Sequence, residues 1–131
     1  MITEDYVSFE TAKLLKEKGF DEATIGYYYT ISEIPERIKF FDSPISIYHS
    51  DGLIGCIQAP TLQMAMKWLR EKKDVQIEIT IVGTDTWETP TKWKFGFRCQ
   101  TKHVIDKRNA DFSSYEQACE EAIKYCLENL I

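Results

Sequence analysis

The sequence predicts an α+β fold: one domain, residues 1–131, in which three helices cover one face of an antiparallel sheet. The expected order is helix, strand, hairpin, helix, hairpin, helix. Three observations predict it. Between Ala59 and Val82 the apolar period changes from that of a helix to that of a strand. The segment 92–100, "KWKFGFRCQ", alternates aromatic and basic residues. The last nineteen residues of the chain, "SSYEQACEEAIKYCLENLI", carry an apolar stripe at helical spacing.

The first element is a helix over about Phe9–Lys18. Ser8 stands where an N-cap hydroxyl can accept from a first-turn amide. Ala12, Leu14 and Leu15 give the apolar side, and Gly19 followed by Phe20 gives the stop. "IGYYYTIS" (Ile25–Ser32) is a strand, with Ile25, Tyr27, Tyr29 and Ile31 on one side and Gly26, Tyr28, Thr30 and Ser32 on the other. Residues 33–44 resist assignment, because Pro35 and Pro44 both oppose regular structure. "ISIYHSDGLIGCI" then predicts a hairpin turning at Ser50–Gly52.

Thr61 is the expected N-cap of a helix running to about Lys72, with Leu62, Ala65, Met66 and Leu69 on one face and Trp68 beside them. From Val75, the residues Val75, Ile77, Ile79 and Ile81 point inward, and Gln76, Glu78 and Thr80 point outward. Trp93, Phe95, Phe97 and Cys99 form the matching face of a paired strand. The final helix opens with a capping box from Ser113 to Glu116. Its stripe is Cys119, Ala122, Ile123, Cys126, Leu127 and Leu130.

At 131 residues, with 44% hydrophobic and 28% charged residues, the chain can bury a core without staples. Burying its large apolar side chains, at roughly 1.5–3 kcal/mol each, is the expected main source of stability. No apolar run is long enough to cross a bilayer, and "MITEDYVSFE" lacks the pattern of a signal peptide. The expected setting is therefore the cytoplasm, away from membranes, with Cys56, Cys99, Cys119 and Cys126 as reduced thiols.

Neither the cysteines nor His49 and His103 show the close spacing of a zinc site, so no metal or cofactor is expected. No nucleophile elbow, phosphate loop or dinucleotide fingerprint occurs, and the reading is of a protein that is not an enzyme. A thiol enzyme would need a depressed pKa at Cys56 or Cys99.

Two surfaces remain as candidates. Tyr27, Tyr28 and Tyr29 combine flat apolar bodies with polar tips, and Trp87 sits in the polar loop "GTDTWETPT"; these are the interface candidates. The partner would be another protein or a second copy of this chain. The net charge of −5 opposes general nucleic-acid binding. Even so, six Lys or Arg against one acid fall between Lys92 and Arg108. Lys92, Lys94, Arg98 and Lys102 are accordingly the nucleic-acid candidates, set against a reading in which Glu78 and the acidic C-terminal helix neutralise them.

The blocks "VSFETAKLLKEKGFD", "APTLQMAMKWLRE" and "SYEQACEEAIKYCLENLI" together resemble a family of small proteins encoded by phages, prophages and other mobile elements of gut bacteria. That family has no established activity. The resemblance implies a bacterial or phage origin and an accessory role, and it assigns no catalytic or binding residue.

Overall fold

The computed structural model describes residues 1–30, 37–45, 55–82, 92–99 and 111–131. Its elements are α1 (Phe9–Glu17), β1 (Thr24–Tyr29), β2 (Lys39–Ile45), β3 (Cys56–Ala59), α2 (Leu62–Lys72), β4 (Val75–Val82), β5 (Lys92–Cys99) and α3 (Tyr115–Asn129). The fold is α+β in the predicted order, and every strand pair is antiparallel. The strands form two sheets rather than one: β2-β1-β3 and β4-β5. Alternation along a strand reports which face is buried, but not which strands share an edge. The chain divides accordingly into two compact units, Met1–Ala65 and Met66–Ile131.

In the first unit, Ser8 caps α1 as expected, accepting from the Thr11 amide at 3.3 Å. The helix stops at Gly19, whose φ of +95° a side chain would strain. There the amide of Phe20 donates to Leu15 and that of Gly19 to Lys16, and the Phe20 ring is buried. This is the Schellman arrangement that Gly19-Phe20 predicted. α1 packs on β3, with Val7, Ala12, Leu15, Phe20, Ile57 and Ala59 in the core. The segment before α1 is tied to the residues before α2. Val7 N donates to Pro60 O at 3.1 Å, Leu62 N donates to Asp5 O at 2.9 Å, and Tyr6 bridges Thr61.

The predicted hairpin has its turn, Ser50–Gly52, and most of its arms outside the described residues. Of that stretch only residues 45 and 55–57 are described; Ile45 pairs with Thr24 and Cys56 with Tyr29, on opposite sides of β1. One expectation is corrected here. Pro44, read as a breaker, lies inside β2. It is tolerated because among the described residues β2 is an edge strand, and because the register there is broken. Between Thr24 and Gly26, Ile25 alone stands against Phe41, Asp42, Ser43 and Pro44.

α2 begins with the predicted cap, Met64 N donating to Thr61 Oγ1 at 3.1 Å. Leu62, Ala65, Trp68 and Leu69 are buried. In the second unit β4 and β5 pair without a bulge from Val75↔Cys99 to Val82↔Lys92. α3 packs on both strands. Phe95 and Phe97 are buried beneath it, in a ring cluster with Phe112 and Tyr125, while Trp93 meets Tyr115 edge-on at 5.4 Å. The α3 stripe is buried from Ala118 to Leu127.

Two further details differ from expectation. Ile81, at the far end of the inward face, is 56% exposed. The N-cap also lies one residue later. Ser114 caps α3 by accepting from Gln117 N, and Gln117 Oε1 accepts from the amide and hydroxyl of Ser113, the residue before the cap. "SSYEQ" offers a cap in two registers, and the helix takes the second, with the return bond going to Ser113 rather than to the cap residue itself.

Candidate functional site

β1 presents its three tyrosines differently. Its pleat turns Gly26 and Tyr28 to the covered side. Tyr28 is buried, its hydroxyl donates to Val7 O at 2.7 Å, and its ring meets Phe9 edge-on. The reading of Tyr28 as an interface residue is therefore corrected: its ring packs the core and its hydroxyl has a partner there.

Ile25, Tyr27 and Tyr29 share the other side, with Ile25 36% and Tyr29 38% exposed. The half-buried Tyr27 stacks on Phe41 of β2 at 4.2 Å and meets Tyr29 edge-on at 5.4 Å. The Tyr27 and Tyr29 hydroxyls lie 3.5 Å apart, and chiefly because of this contact the Tyr27 phenol is pushed up to about 12. The Tyr27 hydroxyl is therefore neutral near pH 7 and does not serve as a base there. The patch offers aromatic surface rimmed by hydroxyl groups. Phe41 was missed at sequence level because Pro44 made its segment read as irregular, although "KFFDSPI" does carry an aromatic pair.

Of the basic candidates, Lys92, Lys94 and Arg98 lie where the alternation placed them, on the outer face of β4–β5, and each of these three has an acidic neighbour. Arg98 Nε meets Glu78 Oε1 at 2.7 Å, as the sequence suggested. Lys92 and Lys94 share Asp111, at 3.6 and 3.8 Å. Asp111 belongs to the segment before α3, so the expected role of the C-terminal helix as counter-charge passes, for these lysines, to a residue the sequence reading did not single out. Exposed pairs of this kind stabilise the fold by about 0–1 kcal/mol, but they do lower the local positive potential. Trp87 and Lys102 lie outside the described residues, as do His49 and His103.

The buried thiols are poor nucleophiles. Burial pushes Cys119 up to about 11 and Cys126 up to about 12, and it raises Cys56 as well. A depressed pKa at Cys56, which a thiol enzyme would require there, is the reverse of what its burial produces. Among the described residues no group of three or more His, Cys, Asp or Glu side chains is placed to hold a metal ion. No helix among them is long and apolar enough to cross a membrane.

Comparison with protein-family models, curated proteins and solved structures finds no match. The functional reading therefore rests on this chain's own surfaces.

Proposed function

We propose that the protein is a non-enzymatic interaction module, a cytoplasmic accessory protein of phage or mobile-element type, that binds a protein partner through the open side of β1. The observation that carries this reading is the patch formed by Ile25, Tyr27, Tyr29 and Phe41. Two of its members are more than a third exposed, and its central ring is held between two others. Such rings give large contact area at little entropic cost, and their hydroxyls can satisfy a partner's backbone. Ring-on-ring packing orders the patch before any partner arrives, which lowers the entropic cost of binding.

The test is a pull-down from lysate of the native host, run in parallel with Tyr27→Ser and Tyr29→Ser variants. A co-eluting protein that is lost with both variants supports the reading. An identical set of co-eluting proteins from all three baits counts against it.

A further inference from the structure

The two sheets treat their edges differently. β2, an edge strand among the described residues, carries Lys39, Pro44 and a broken register, each of which discourages another strand from pairing there. β4 carries none of these. It is eight residues long, "VQIEITIV", without proline, glycine or bulge, and Glu78 is its one charge. β5 occupies one of its edges, and among the described residues no strand occupies the other. On the face where Val75 and Ile77 are buried, Ile81 is left 56% exposed. A long, unbroken, β-branched edge of this kind is a template for one more strand.

We propose that this edge pairs antiparallel with the same edge of a second copy, joining two β4–β5 sheets into one of four strands about a two-fold axis at Ile79. The sequence of β4 selects the register. Opposed residues must share a face, so the choice is among registers two residues apart. Centring on Glu78 sets Glu78 against its own symmetry mate, a like-charge pair. Centring on Thr80 pushes Ile77 and Val75 past the end of the partner strand. Centring on Ile79 places Glu78 opposite Thr80 of the second copy and the exposed Ile81 opposite the partner's Ile77, and it overlaps Gln76–Val82. Because the axis is perpendicular to the sheet, both copies keep their isoleucines on the same side. The inference goes beyond the tyrosine patch, which lies in the other unit and plays no part in it.

Thr80 provides the test because it is exposed and faces Lys94 across β5, so that charge placed there stays out of the core. Sedimentation equilibrium on the full chain is expected to show a reversible monomer–dimer equilibrium. Thr80→Glu sets like charges opposite each other twice per dimer and should raise the dissociation constant by roughly three- to tenfold; Thr80→Lys should lower it by a similar factor. Amide exchange supplies a readout that needs no variant: protection of β4 should rise with protein concentration while that of β1 does not. A monomer at every concentration overturns the proposal. So does a dimer whose affinity moves the same way with both substitutions, or whose β4 amides exchange independently of concentration.

Discussion

Gly26 is where the first unit admits no side chain. A Cβ there would stand 2.6 Å from the Ala59 carbonyl oxygen and 3.0 Å from both the Ile38 Cδ1 methyl and the ring carbon Cδ1 of Tyr6. The two side chains can yield, but the carbonyl belongs to the neighbouring strand and yields only if the β1–β3 ladder opens. Gly26→Ala is expected to cost about 1–3 kcal/mol, seen as a lower urea midpoint with an unchanged slope. The alternation in "IGYYYTIS" separated Gly26 and Tyr28 from Ile25, Tyr27 and Tyr29 correctly. Which side was covered could not be read, because tyrosine stands on both and suits either a core or a rim. The glycine held the clue: on the covered side it lets two strands approach.

At the scale of elements, the helices were legible almost residue by residue, because caps and stops are local chemistry. Ser8, Thr61 and Gly19 act within four residues of themselves, and the sequence shows all the participants. The exception was the α3 cap, where two serines compete. Ser114→Ala is expected to cost about 1 kcal/mol and Ser113→Ala distinctly less, checked by thermal unfolding of the two variants side by side. The opposite order would return the cap to the earlier register. Strand pairing was less legible. Nothing near Ile45 or Cys56 announces that β1 will lie between them, since that contact is made with residues more than fifteen positions away. The β4–β5 pair was legible because its inward faces match, isoleucine against aromatic, and because Glu78 on one strand reaches Arg98 on the other.

For the whole molecule, the division of charge bears on the nucleic-acid reading. Ten basic and twenty acidic residues lie outside 92–108, and the basic side chains described within it are matched by Glu78 and Asp111. The protein is therefore expected to retain neither DNA nor RNA in filter binding at low salt. Retention that falls steeply as salt rises would restore the nucleic-acid reading of Lys92, Lys94, Arg98 and Lys102. The tying of Val7 to Pro60 and of Asp5 to Leu62 has a consequence for synthesis. During translation α1 can coil as soon as it leaves the ribosome, but the sheet it covers cannot close until some forty further residues have emerged. Over that interval the rings of Phe20 and Tyr28 lack their final cover, so a nascent chain stalled before Pro60 should be the form most readily held by chaperones or cut by proteases.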